Sequence, residues 1–104
     1  MDLKIEQFNI LRKISEDSKV SQREIARDLG YSLGKVNYCL EALKEKGLIK
    51  IFNFKKSKSK KNYFYYLTPK GFTQKTKNTL RFMNQKMREY DELQKELKSI
   101  KKIT

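Results

Sequence analysis

Apolar positions at the start of the chain recur mostly three or four residues apart, at Leu3, Ile5, Phe8, Ile10, Leu11 and Ile14. This period predicts an amphipathic helix from Leu3 to Ile14. The polar string SEDSK ends it. In VSQREIARDLG, Ser21 followed three residues later by Glu24 has the spacing of a capping box. Val20 ahead of the cap can pack on Ile25, and Gly30 can take the left-handed conformation that closes a helix. A short second helix is expected over Gln22 to Leu29. Ser32 as cap, Tyr31 facing Val36, and an inward set of Leu33, Val36, Leu40 and Leu43 predict a third helix that stops at Gly47.

Two helices joined by so tight a turn must cross steeply, which is the helix-turn-helix unit. Ala26, Gly30 and Val36 suit it: the small residue permits close approach, glycine makes the turn and the β-branched residue packs between. An ordinary helical hairpin is the competing reading. After Gly47 the period changes to two. LIKIFNF alternates Ile49, Ile51 and Asn53 against Leu48, Lys50, Phe52 and Phe54, and NYFYYL is rich in strand-favouring aromatics. KKSKSKK between them reads as too polar to pair, so a β-hairpin with a basic tip is expected. Two of Tyr63, Phe64, Tyr65 and Tyr66 should face the core.

LTPKGF carries a further helix start, with Thr68 as cap, Pro69 at the first helical position and Leu67 stapled to Phe72. No Pro or Gly follows Gly71, so this helix can run to about Ile100, roughly 45 Å at 1.5 Å per residue. Its apolar residues Leu80, Met83, Met87, Tyr90, Leu93, Leu97 and Ile100 are separated by steps of 3, 4, 3, 3, 4 and 3. That is nearly a heptad seam with one short step, a single stripe winding along the helix. A small domain cannot cover a helix of this length. Self-association through the stripe is expected, parallel or antiparallel, against the alternative of a monomer whose helix folds back. The fold class is mainly α with a small β-hairpin (α+β): a winged helix-turn-helix domain over residues 1–68 and a long, coiled-coil-like dimerisation helix over 69–104.

Composition narrows the chemistry. Across 104 residues there is one cysteine, Cys39, and no histidine, which removes intrachain disulfides, zinc fingers and imidazole bases. The carboxylates Glu16 with Asp17, and Glu89 with Asp91 and Glu92, lie among lysines on helix-like stretches and read as solvated surface. No catalytic residue, metal or cofactor is expected. No apolar run approaches the roughly 18 residues of a membrane span, and the N-terminus lacks signal-peptide character, so a cytoplasmic protein is expected. The net charge is +13, and residues 48–75 carry eight Lys/Arg and no acid. A local field of this kind favours polyanions, nucleic acid first among them. A solubilising surface is the plainer explanation.

Several strings resemble a known family. LEALKEKGLIK followed by LTPKG looks like the recognition-helix end and wing exit of MarR-type regulators. SLGKVNYCLEALKEKG, the NF after the first wing strand, YLTPKGF and KMREYDEL are together similar to the small MarR-like regulators associated with exopolysaccharide loci in bacteria, over about residues 3–97. The resemblance implies a cytoplasmic, nucleoid-associated, homodimeric, DNA-binding transcription factor. The chain departs from larger MarR proteins: its wing has no Asp-x-Arg pattern, and it lacks their additional N-terminal helix and second C-terminal helix.

In a helix-turn-helix the first turns of the second helix enter the major groove. The recognition helix is then about residues 32–46, with Ser32, Gly34, Lys35, Asn37, Tyr38 and Glu41 outward. Asn37 has the donor and acceptor pair that matches adenine, Lys35 can reach guanine or a phosphate, and Gly34 permits close backbone approach. Ser21 and Gln22, at the start of the preceding helix, join the DNA-binding set. The wing, residues 55–61, offers Lys55, Lys56, Lys58, Lys60 and Lys61, with Lys50 at its root, to the backbone or minor groove. Cys39 is expected to be a small buried residue. Two other classes stay open: a nonspecific DNA- or RNA-binding, nucleoid-like protein, and a winged-helix protein-interaction module.

Overall fold

The computed structural model describes the backbone of residues 2–57 and 60–103 and their side chains outside 53–62 and 103. Three helices, a hairpin and a long helix follow in order: α1 (Ile5–Glu16), α2 (Gln22–Leu29), α3 (Leu33–Glu45), β1 (Ile49–Ser57), β2 (Lys60–Leu67) and α4 (Pro69–Ile103). The starts of three helices follow their caps. The Ser21 hydroxyl accepts from the Glu24 amide at 3.0 Å, Ser32 from Lys35 at 3.1 Å and Thr68 from Gly71 at 3.0 Å. The capping box at Ser21 closes differently from its usual form, since the Ser21 hydroxyl itself donates to the Glu24 carboxylate at 3.2 Å. Gly30 ends α2 with φ +72°, and the next amide, Tyr31, bonds back to Ala26 at 2.9 Å.

One core joins these elements. Phe8, Ile10, Leu11 and Ile14 from α1, Val20 and Ile25 from the α2 region, Val36, Cys39, Leu40 and Leu43 from α3, and Leu48, Ile49 and Tyr65 from the hairpin are all buried. Val20 and Ile25 share this cluster, as do Val36 and the half-buried Tyr31. Leu33 departs from its expected inward position. It opens α3 beside the turn and is 45% exposed, because the first helical residue projects past the α2 packing face that Val36 fills.

The hairpin is antiparallel, with Ile49 opposite Leu67 and Ile51 opposite Tyr65. The strands continue through the lysines: Lys55 lies opposite Lys61 and Ser57 opposite Lys60, with an irregularity between Lys55 and Ser57. The expectation that this tract is too polar to pair is thus corrected, since backbone groups supply the ladder whatever side chains alternate above and below it. Ile49 is buried and Ile51 half-buried, while Lys50 and Phe52 face solvent. Leu48 precedes the strand and is buried, against its expected place with Lys50 and Phe52. Of the four aromatics in β2 only Tyr65 is buried; Tyr63 shares its face but lies further from the core and is 37% exposed.

α1 begins two residues later than the apolar spacing predicts, because the backbone of Leu3 is bound by α4. Its N–H donates to Asn78 Oδ1 at 3.1 Å and its carbonyl accepts from Arg81 Nη2 at 2.6 Å. Asn78, 1% exposed, also accepts from Arg81 and donates to the Gln74 carbonyl. Phe82 completes the contact, 4.8 Å from the Phe8 ring and under the Arg81 guanidinium. The first part of α4 therefore lies on the domain. Gly71 is required there, since a Cβ at this position would collide with the Leu48 carbonyl. Phe72 is 57% exposed and stays outside the core on which Leu67 packs. Beyond Phe82 the helix projects outward, in a molecule 67 Å long and 27 Å by 20 Å across.

Candidate nucleic-acid interface

Capping by Ser32 and burial of Val36, Cys39, Leu40 and Leu43 fix the rotation of α3. The opposite face presents Gly34, Asn37, Tyr38 and Glu41 to solvent, at steps of three, one and three. Tyr38 is the most open of the large hydrophobic residues whose side chains are described, at 73% exposure. A Cβ added at Gly34 would meet nothing within 4 Å, so the helix backbone itself is accessible there. Ser21 and Ser32 are exposed, and both hydroxyls serve as helix caps.

Two of the expected contact residues are engaged within the protein. Lys35 Nζ lies 3.8 Å from the Glu6 carboxylate and 5.0 Å from the centre of the Tyr31 ring. It leans toward α1, beside the outward face. Gln22 Nε2 donates to the Tyr65 hydroxyl at 3.4 Å, tying α2 to the hairpin. The same strand is held to the turn before α2 by the Tyr65 amide, which donates to the Ser18 carbonyl at 2.9 Å. Burial, the largest influence, pushes the Tyr65 phenol above its ordinary value, and the Gln22 bond opposes this. These cross-ties hold the hairpin to α2 and to the turn before it, and α3 to α1. Residue spacing carried no signal for them, because Lys35 and Gln22 were expected to face DNA rather than partners within the chain.

Lys50 stands exposed at the hairpin root. Lys58 lies outside the described residues, as do the side chains of Lys55, Lys56, Lys60 and Lys61, whose backbones are placed on the paired strands. The outer face of the hairpin carries an aromatic cluster, with Phe52 and Tyr66 edge to face at 5.6 Å and Phe64 6.5 Å from Tyr66. Cys39 is buried and its thiol is pushed up, chiefly by that burial and secondarily by Glu6. Among the described residues no group of three or more His, Cys, Asp or Glu side chains is placed to hold a metal ion. No described helix is long and apolar enough to cross a membrane.

A capped helix-turn-helix with an exposed second helix, followed directly by a twisted hairpin, matches a known arrangement. Residues 7–50 fit the family model for winged helix-turn-helix DNA-binding domains. The chain has the winged helix-turn-helix fold. Solved structures of MarR-family regulators share it. A MarR-family transcriptional regulator from Rhodococcus sp. RHA1 superposes with a TM-score of 0.73 at 19% identity, over 94% of this chain and 74% of that one. The zinc-responsive MarR family member ZitR of Lactococcus lactis gives 0.68 at 24% identity, over 89% of this chain. The PcaV transcriptional regulator of Streptomyces coelicolor, solved with its natural ligand, gives 0.70 at 14% identity, over 80% of this chain. The chain spans 62% of the ZitR chain and 57% of the PcaV chain. No curated protein matches it in sequence.

Proposed function

We propose that the chain is a sequence-specific, double-stranded-DNA-binding transcriptional regulator that acts as a homodimer. The observation that carries this reading is the exposed face of Gly34, Asn37, Tyr38 and Glu41 on a helix whose other face is locked in the core. An acid-free, strongly basic segment adjoins it. Residues 32–46 then enter the major groove and the wing, 55–61, follows the backbone or minor groove. Asn37 and Tyr38 read base edges or thymine methyls, and Ser21, Ser32 and Lys50 meet phosphates. Lys35 reaches DNA only by leaving Glu6, an exchange of one partly exposed ion pair for another that costs little. The two recognition units of a homodimer call for a pseudo-palindromic operator.

Such a protein works in the cytoplasm, on the nucleoid, and carries no enzymatic activity. The resemblance to exopolysaccharide-associated regulators suggests those genes as targets. Selection of bound duplexes from a random pool, with affinity followed across a salt series, tests the reading. An enriched inverted repeat, with its binding weakened for Asn37→Ala, is the expected outcome, and binding without an enriched motif would overturn it. The exposed Phe52–Tyr66 pair beside Lys50 favours a second reading, stacking of unpaired bases in nonspecific nucleic-acid binding. In that case single strands would compete with the selected duplex.

A further inference from the structure

We infer that two copies of α4 pair antiparallel, about a two-fold axis at Tyr90. This rests on the homodimer reading and adds its geometry. The seven apolar residues from Leu80 to Ile100 are each 51–62% exposed, on a helix that projects beyond the domain. Their steps of 3, 4, 3, 3, 4 and 3 read the same from either end, with Tyr90 at the centre. In an antiparallel pair the partner's seam runs in reverse, so the two seams stay in contact only when the step pattern matches its own reversal. A parallel pair makes no such demand, because any spacing matches itself.

The symmetric register places Leu80 against the partner's Ile100, Met83 against its Leu97, Met87 against its Leu93, and Tyr90 against its own copy. The double step of three at the centre overwinds both helices at one point, and Tyr90, the bulkiest seam residue, fills that layer. The Tyr90 hydroxyl accepts from Gln94 at 3.0 Å, which holds its polar end beside the seam.

Charge is arranged in the same sense. From Pro69 to Arg88 the helix carries six Lys/Arg and no acid, and its four acids, Glu89, Asp91, Glu92 and Glu96, lie together further on. Parallel pairing sets each basic half beside its copy. Antiparallel pairing brings Lys86 toward Glu96 and Arg88 toward Asp91 across the two flanks. Opposite charges can also be matched locally in a parallel pair, as Lys86 with Asp91, so the mirror symmetry of the seam is the stronger argument. A shallow groove lined by Phe72, Lys75, Thr76, Thr79 and Leu80 continues the seam toward the domain. In this register it receives the last turn of the partner's α4.

Disulfide trapping tests the orientation in the full chain. Met83→Cys and Leu97→Cys are made separately in a Cys39→Ala background, and sedimentation equilibrium is run on each. Both are expected to be dimers. Mixed and oxidised mildly, they should give a covalent 83–97 product, while neither variant alone cross-links. Cross-linking of Met83→Cys with itself and no mixed product, in variants that remain dimers, would overturn the antiparallel arrangement and leave the dimer standing. Monomers throughout, with wild type also monomeric, would overturn the dimer on which it rests.

Discussion

The two ends of α4 invert the usual relation between polarity and burial. Along its first part the buried positions are Gly71, Gln74 and Asn78, small or polar residues that lie against the domain. Along its outer part the residues that a core would take, Met83, Met87, Leu93 and Leu97, are all more than half exposed. Asn78 can be buried against the domain because its hydrogen bonds are satisfied there, through both its oxygen and its amide nitrogen. The outer stripe has no such account within one chain. A contiguous apolar surface of that length is the mark of an interaction site, and the contrast separates the part of α4 that builds the domain from the part that, in the proposed dimer, joins two domains.

The sharpest way to break this contrast is a charge on the outer seam. Leu93→Glu buries a carboxylate in the proposed interface, at a cost of several kcal/mol, and should weaken the dimer by at least ~100-fold in sedimentation equilibrium. Far-UV helix signal should fall with it, because an isolated helix of about 20 residues is marginal in water. The winged domain should still unfold cooperatively. Asn78→Ala attacks the inner part and should do the reverse. It strips the Leu3 amide and Arg81 of their shared acceptor, so chemical denaturation should show a loss of about 2–3 kcal/mol, with association retained at temperatures where the domain is folded.

Next in size is Asn37→Ala, which touches neither part of α4. Removing the proposed base-edge contact should weaken the selected duplex by about 1–3 kcal/mol and leave unfolding within about 0.5 kcal/mol of wild type. Gly34→Ala should separate stability from binding. Its Cβ meets open space, so the change should stabilise the helix by up to about 1 kcal/mol while reducing affinity for duplex. The smallest effect concerns Tyr65. With its folded-state pKa raised by burial, its contribution to stability is present below the ordinary value of about 10 and is lost as pH rises toward the folded value. Tyr65→Phe should flatten the fall in stability above about pH 10, as followed by urea titration.

Much of the architecture was legible in residue spacing. Ser21, Ser32 and Thr68 marked three helix starts that their hydroxyls do cap, and the change of period after Gly47 marked the hairpin. What spacing could not reach was polar chemistry acting at long range. Nothing in the string distinguishes Asn78, joined to a backbone 75 residues away, from a solvated asparagine. Lys35 likewise gave no sign that Glu6 and Tyr31 would draw it aside. Leu33, Phe72 and Tyr63 failed for another reason: Leu33 and Tyr63 sit where their elements outrun the surface they pack on, while Phe72 lies on the solvent side of a helix whose packed side is Gly71, Gln74 and Asn78. The outward face of α3 was readable because its inward complement was so regular.

The measurement that bears most directly on the account is the stoichiometry of the full chain on a duplex recovered by selection, determined by sedimentation of the purified complex. Two chains should bind each inverted repeat, with loss of cooperative binding for Leu93→Glu. One chain per duplex, unchanged by that substitution, would contradict it.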